Sequence, residues 1–122
     1  KLPRIYHVNW FRKGADGKFL WPGYGENSRV LKWIFERVTG TAEAVDTPIG
    51  RLPAPGALDL SLLRVPEAHL DQLLHVDTDG WAAELPAIRK HLDQFGTHLP
   101  QGLRDELVAL EQRLQARVEA RR

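Results

Sequence analysis

Apolar residues recur at helical spacing between residues 27 and 40. The repeating positions, three or four residues apart, are Val30, Leu31, Ile34, Phe35 and Val38. This spacing gathers apolar side chains on one face of an α-helix. Asn27 or Ser28 can cap its first turn, and Gly40 stands where a glycine commonly ends a helix. We therefore predict a helix that begins near Asn27 and ends before Gly40.

The second half of the chain has helical periodicity in three further stretches. A proline at a first helical position predicts a short helix over residues 66–74. Asp77 or Thr78 is expected to cap a longer helix that reaches Phe95, and Pro86 should kink this helix or break its first turns. A final amphipathic helix is predicted from a stripe formed by Leu103, Leu107, Leu110, Leu114 and Val118.

The first 21 residues have a strand-like composition. The segment RIYHVNWFR, residues 4–12, is rich in β-branched and aromatic residues, and residues 18–21 form a second short segment of this kind. Two glycines lie in the turn-forming stretch 13–17 that joins them. A short N-terminal β-hairpin is therefore predicted, ended by the WPGYG sequence of residues 21–25.

Residues 41–66 are punctuated by proline and glycine and predict an irregular loop with one helical turn near residues 58–63. This stretch is too apolar for a free linker. The predicted fold class is α+β, mainly α-helical with the short N-terminal hairpin. The chain divides into the hairpin, loop and helix of residues 1–40, the irregular loop 41–66 and a helical tail over residues 67–122.

The composition excludes several kinds of site and of protein. The chain has 122 residues, a formal net charge of +1 and no cysteine, so disulfides and thiolate metal sites are excluded. No apolar run approaches the roughly 20 residues that span a bilayer, and the charge is too balanced for a nucleic-acid coat. Residues 1–40 nevertheless hold eight Lys/Arg against three Asp/Glu, and eight of the ten aromatic residues lie by position 35.

The aromatic residues of the window 9–27 could converge to hold a flat ligand. Phe11, Phe19 and Tyr24 come from the two predicted strands and the turn that follows, and stacking on a base contributes about 1–3 kcal/mol. The amide of Asn27 suits a base edge, and the basic residues Arg12, Lys13, Lys18 and Arg29 give a field that favours phosphates. Aromatic residues in a hairpin also commonly form a core, so packing remains an alternative.

The sequence VNWFRKGADGKFLWPGYGENSRVLKWIFER strongly resembles the guanine-binding segment of GTP-dependent phosphoenolpyruvate carboxykinases. The resemblance continues through TPIGRLP and the helical tail, and so covers essentially the whole chain. It implies the C-terminal nucleotide-binding lobe of the carboxykinase fold. In this family three aromatic side chains enclose the guanine, and a segment that ends in Glu-Asn contacts its edge.

The resemblance implies a guanine site in this chain. Asn27 is the position expected to select guanine over adenine, and Tyr24 stands where phenylalanine is more usual. The added hydroxyl at position 24 needs a polar neighbour or water, while the ring face is kept. The implied site residues are Trp10, Phe11, Phe19, Tyr24, Gly25, Glu26 and Asn27.

The family converts oxaloacetate and GTP to phosphoenolpyruvate, GDP and carbon dioxide with the help of Mn²⁺ or Mg²⁺. The phosphate loop, the metal ligands and the substrate loop of that chemistry have no counterpart in this sequence. The chain is thus expected to be an inactive C-terminal portion, without catalytic or metal-binding residues, of a cytoplasmic and monomeric enzyme. Its expected partner is a guanine nucleotide, not nucleic acid or membrane, and the isolated portion is expected to self-associate.

Neither a zinc site nor a calcium loop is predicted. Asp71 and His75 have helical i, i+4 spacing but no third ligand for zinc nearby, and the Asp77–Gly80 stretch lacks the glycine and glutamate of a calcium loop. A non-catalytic protein-binding or scaffold module, which would use the aromatic cluster and the leucine-striped helix, remains the alternative function.

Overall fold

A computed structural model describes residues 2–120. Within these residues the chain forms four α-helices and one two-stranded antiparallel sheet. The mainly helical α+β class predicted from the sequence is therefore confirmed. The elements in chain order are α1 (Asn27–Thr39), β1 (Ala44–Thr47), β2 (Gly50–Pro53), α2 (Glu67–Leu74), α3 (Thr78–Asp93) and α4 (Gln101–Glu119), with short 3₁₀ turns at Tyr24–Glu26 and Gly96–His98.

Helix α1 forms where its apolar periodicity predicts it, but Leu31, Phe35 and Val38 of the predicted stripe are exposed. Trp33 lies buried on its inner face, and the indole N–H donates to the carbonyl of Glu43 at 3.1 Å. The helix ends at Gly40, whose φ of 85° is the left-handed conformation expected of a terminal glycine. Its beginning differs from the prediction, because Glu26 takes the cap position and no side chain caps the first turn.

The predicted N-terminal hairpin is reduced to one antiparallel bridge, between Lys13 and Phe19. Two hydrogen bonds close it, from the amide of Gly14 to the carbonyl of Lys18 and from the amide of Leu20 to the carbonyl of Arg12, both 2.9 Å long. Residues 4–12 form no strand. The second segment is short, and Pro22 has no N–H to donate to the opposite residue, Trp10, so the ladder cannot extend that far.

The two-stranded sheet lies instead in the region predicted to be irregular. Strands β1 and β2 flank a turn in which Pro48 is buried, and the Thr47 hydroxyl donates to the carbonyl of Gly50 at 2.6 Å. The prolines that argued against strands stand in the turn and at the last position of β2, where no ladder N–H is needed. The predicted helical turn near residues 58–63 is a simple turn, with Leu62 at a φ of 62°.

The three later helices form close to their predicted bounds. Asp77 caps α3 through a hydrogen bond that its carboxylate accepts from the amide of Gly80, 2.9 Å long. Pro86 does not break α3, which runs through it without interruption. Helix α4 packs against α3 through its apolar stripe, with Leu107 and Leu114 buried.

The chain separates into two compact units. The first comprises the residues up to Asp46 together with Arg51–His75, and the second comprises Thr47–Gly50 and the residues from Val76 onward. Leu20, Trp21 and Trp33 are the buried apolar residues of the first unit, while Leu99, Leu107 and Leu114 are those of the second. None of the helices described in residues 2–120 has the length and apolar character needed to cross a membrane.

Candidate functional site

Two of the predicted clamp residues meet in an open position. The rings of Phe11 and Phe19 lie 6.0 Å apart, centroid to centroid, in an edge-to-face arrangement. They remain 73% and 53% exposed, although apolar rings of this size are usually buried. The Lys13–Phe19 bridge fixes the backbone beneath them, and the side chain of Asn9 accepts a hydrogen bond from the amide of Phe11 at 3.1 Å. The pair therefore offers ring surface to a flat ligand from a constrained turn.

Trp10 contacts a different ring from the exposed pair. Its ring lies 6.3 Å from the ring of Trp21, which is buried, and Trp10 itself is half-buried. Trp10 therefore packs on the core of the first unit. Because its ring contacts Trp21, Trp10 is better placed to stabilise the segment than to contact a ligand directly.

Tyr24 stands apart from the other rings. Its side chain is 94% exposed, and among the described residues its ring pairs with no other aromatic ring. The structure thus brings together two of the three predicted clamp rings and leaves the third in solvent. The hydroxyl that was expected to need a partner is hydrated at this position, since water has free access to it.

The turn between Trp21 and α1 is built on an unusual glycine. Gly23 has a φ of 108° and a ψ of −160°, a combination that is essentially restricted to glycine. Its carbonyl accepts from the amide of Glu26 at 3.0 Å, which closes the 3₁₀ turn. Gly25 is exposed in that turn, and no atom outside its own backbone neighbourhood would meet an added side chain. Backbone is therefore accessible to a ligand here.

Asn27 is half-buried and its side chain is already engaged. Its Oδ1 accepts a hydrogen bond of 2.8 Å from the indole Nε1 of Trp21. The side chain therefore faces back across the turn, instead of capping α1. Sequence reasoning identified Asn27 as a site residue but missed this contact. A tryptophan six residues before an asparagine, across a Pro-Gly turn, is the signal that could have indicated it.

A group of charged side chains joins the same turn to the loop after β2. Arg29 donates through Nε to a carboxylate oxygen of Glu26 at 2.5 Å and through Nη1 to the carbonyl of Asp59 at 2.7 Å. Lys32 lies 3.5 Å from the Asp59 carboxylate and 3.4 Å from that of Glu36. The guanidinium of Arg29, predicted to favour phosphates, is therefore occupied by protein groups. The i, i+3 spacing of Glu26 and Arg29 and the i, i+4 spacing of Lys32 and Glu36 were the available signals for part of this network.

Asp59 is the acceptor that organises this network. The hydroxyl and the amide of Ser61 donate to its Oδ1 at 2.6 Å and 3.2 Å. These hydrogen bonds, aided by the positive charge of Lys32, lower the pKa of Asp59 below its ordinary value. The carboxylate therefore stays charged to a lower pH than an ordinary aspartate.

The described residues bring together no group of three or more His, Asp or Glu side chains that could hold a metal ion. The segment 9–27 contains an exposed aromatic pair, an open glycine turn and an amide whose oxygen is held by Trp21. This combination suits a flat ligand that has hydrogen-bonding groups on its edge.

Comparisons with known proteins assign this segment and the rest of the chain to one family. A family model described as the phosphoenolpyruvate carboxykinase C-terminal P-loop domain matches residues 1–113. A protein of Neocallimastix frontalis named phosphoenolpyruvate carboxykinase [GTP] is 61% identical over 117 residues, which is 95% of this chain and 19% of that protein. The protein of the same name from Arthrobacter sp. (strain FB24) is 51% identical over 93% of this chain and 19% of its own length.

A vertebrate relative is similar over the same range. The protein of Gallus gallus named phosphoenolpyruvate carboxykinase, cytosolic [GTP] is 49% identical over 93% of this chain and 18% of its own length. The chain therefore spans about a fifth of the length of the relatives that it matches. Because the family model covers nearly all of the chain, the conclusion is direct: the chain belongs to the GTP-dependent phosphoenolpyruvate carboxykinase family, within its C-terminal domain.

Proposed function

We propose that this chain is the guanine-binding portion of a GTP-dependent phosphoenolpyruvate carboxykinase. The whole protein would convert oxaloacetate and GTP to phosphoenolpyruvate, GDP and CO₂, a reaction of gluconeogenesis. The observation that carries the proposal is the exposed Phe11–Phe19 pair, which lies within the residues that the family model matches. The proposed site residues are Trp10, Phe11, Phe19, Tyr24, Gly25, Glu26 and Asn27.

The roles of these residues follow from their positions. Phe11 and Phe19 offer ring surface on which the guanine stacks, and Trp10 supports the segment. Tyr24, which is free in solvent, closes over the base as the third ring when the nucleotide binds. The exposed backbone at Gly25, the Glu26 turn and the amide of Asn27 meet the polar edge of the base. Residues 1–40 thus form the guanine-binding part of this 122-residue C-terminal portion, and they are followed by residues 41–66 and the helical tail 67–122.

Phosphate and metal chemistry belong to other parts of the whole protein. A divalent ion, Mn²⁺ or Mg²⁺, would neutralise charge on the transferred phosphoryl group there. The donor set of residues 2–120 does not fit such an ion, because these residues gather no group of candidate ligands. We therefore assign no catalytic residue to this chain and expect no activity from it alone.

The same proposal extends to the cellular setting of the whole enzyme. The Gallus gallus relative carries the word cytosolic in its name, which supports a cytoplasmic location. We further propose that the whole enzyme is a monomer whose partners are the guanine nucleotide, oxaloacetate and phosphoenolpyruvate. Neither nucleic acid nor a membrane is a partner in this proposal.

The test is the substitution Phe11→Ala in the whole protein. Loss of stacking costs about 1–3 kcal/mol, so the KM for GTP should rise by roughly tenfold or more. Metal affinity, measured separately by Mn²⁺ titration, should be unchanged. Phe95→Ala is the matched control, because Phe95 is a half-exposed phenylalanine of the second unit, outside the segment. An unchanged KM for GTP in Phe11→Ala would contradict the stacking role.

A further inference from the structure

The hydrogen bond between Trp21 and Asn27 is held by burial. Trp21 is only 5% exposed, and its indole N–H donates to Oδ1 of Asn27 at 2.8 Å. A buried donor that loses its partner costs about 1–3 kcal/mol. The indole of Trp21 therefore keeps the side chain of Asn27 in place even when no ligand is bound.

This bond also determines which way the asparagine amide points. An indole nitrogen can donate a hydrogen bond but cannot accept one. It can therefore pair with Oδ1 of Asn27 and never with Nδ2. The two ends of an asparagine amide are alike in size and differ only in hydrogen-bonding chemistry, so Trp21 is the group that fixes their order. This leaves the Nδ2 amino group, with its two N–H donors, as the free end of the amide, and it is not among the buried unpaired polar atoms of the described residues.

We propose that Trp21 is a positioning residue for base recognition, acting through the Asn27 amide. Guanine has an oxygen acceptor at position 6, where adenine has an amino donor. When Nδ2 is the free end, the amide can donate a hydrogen bond to the guanine oxygen. Adenine presents its own amino donor at that position, so no hydrogen bond forms there. This inference rests on the proposed function and adds to it the residue that sets the preference for one base.

Other contacts keep Trp21 itself from turning. The ring of Trp10 packs on it at 6.3 Å, and the adjacent Leu20 is buried with it. On the other side of the turn, Arg29 holds Glu26, the residue before Asn27. Both ends of the hydrogen bond therefore belong to packed or ion-paired segments. A side chain can position another only if its own conformation is fixed in this way.

The experiment measures the affinities of the chain for guanosine and adenosine by NMR titration. We expect the wild-type chain to prefer guanosine by roughly tenfold, a typical cost of one mismatched base contact. Trp21→Phe keeps an aromatic ring but removes the N–H, and its preference should fall to threefold or less. Trp33→Phe is the matched control: Trp33 is 4% exposed and its N–H is bonded to Glu43, so the preference should stay.

A second measurement needs no substitution at the core. In the wild-type chain, guanosine should shift the Nδ2 amino resonances of Asn27 while the indole N–H of Trp21 stays protected from solvent exchange. Rapid exchange of that indole N–H in the guanosine complex would overturn the inference, as would an unchanged preference in folded Trp21→Phe. Equal affinity of the wild-type chain for both nucleosides would overturn the proposed function, and this inference with it.

Discussion

The backbone of Gly23 determines the path from the buried Trp21 to the first turn of α1. Its φ of 108° and ψ of −160° place it where side chains with a Cβ are strained. No atom lies within 4 Å of the position that a Cβ would occupy, so the cost of a substitution there is conformational and not steric. A single residue thus controls whether Trp21 and Asn27 can meet.

Gly23→Ala should destabilise the chain by about 1–3 kcal/mol because of this backbone strain. The measurement is the midpoint of urea unfolding at neutral pH. Gly25→Ala is the control in the same turn, because Gly25 has no left-handed φ and open space around it. It should change stability by no more than about 1 kcal/mol. Equal effects of the two substitutions would contradict the argument from backbone conformation.

At the level of single residues, the sequence indicated candidate site residues but not the partners that their side chains contact. Phe11 and Phe19 were expected to share a site, and their rings do meet. Asn27 as a base-reading residue stays a prediction, and the hydrogen bond that its Oδ1 accepts from Trp21 was not foreseen. Which partner a polar side chain takes depends on the three-dimensional path of a turn, which no periodicity in the sequence records.

Helix α1 is tied to the loop 57–63 by charge. Arg29 and Lys32 project from the helix toward Asp59, whose carboxylate is held in turn by Ser61. The network joins two segments 30 residues apart in sequence. The Arg29 hydrogen bond goes to the backbone carbonyl of Asp59, whereas the ion pairs of Arg29 and Lys32 with the Asp59 carboxylate should respond to pH.

The pKa of Asp59 is lowered in the folded chain, chiefly by the Ser61 hydrogen bonds. Its contribution to stability is therefore complete above the ordinary pKa of an aspartate and is lost as the pH falls through the lowered value. Ser61→Ala should move the Asp59 titration, followed by NMR of the Asp59 carboxyl carbon, to higher pH. Asp59→Asn should remove that step from the acid dependence of stability. A Ser61→Ala chain with the wild-type titration midpoint would contradict this account.

Helices were predictable at this level, and the strands were not. The apolar spacing of α1, the cap of α3 and the stripe of α4 are local signals, and each of these elements formed. The sheet of β1 and β2 was missed because its strands are only four residues long and contain or adjoin prolines. The N-terminal hairpin failed because its second segment could not supply further ladder hydrogen bonds.

For the whole molecule, the important surface is the outer side of α1. Leu31, Phe35 and Val38 are each more than half exposed, and they lie three or four residues apart. The apolar stripe of α4 is partly covered in its own unit, with Leu107 and Leu114 buried. The predicted self-association of the isolated chain is therefore best assigned to α1.

Phe35→Lys should lower this self-association, because it places a charge in the middle of the exposed stripe. Sedimentation velocity over a range of concentrations would measure the mass of the wild-type chain and of the variant. Leu103→Lys is the control, a comparable change at a half-exposed leucine of α4. A wild-type chain that stays monomeric at high concentration would contradict the expectation for the chain as a whole.

Three basic side chains in residues 12–29 contact protein groups, which limits the attraction of this segment for phosphates. Arg29 donates to Glu26 and Asp59, Arg12 lies 3.4 Å from the carbonyl of Leu73, and the Lys13 ammonium lies 5.4 Å from the centre of the Phe19 ring. Charges used in this way add little attraction for a chain of phosphates. In the proposed site, guanosine, GDP and GTP should therefore bind with similar affinities, and discrimination between GTP and GDP would depend on residues outside this chain.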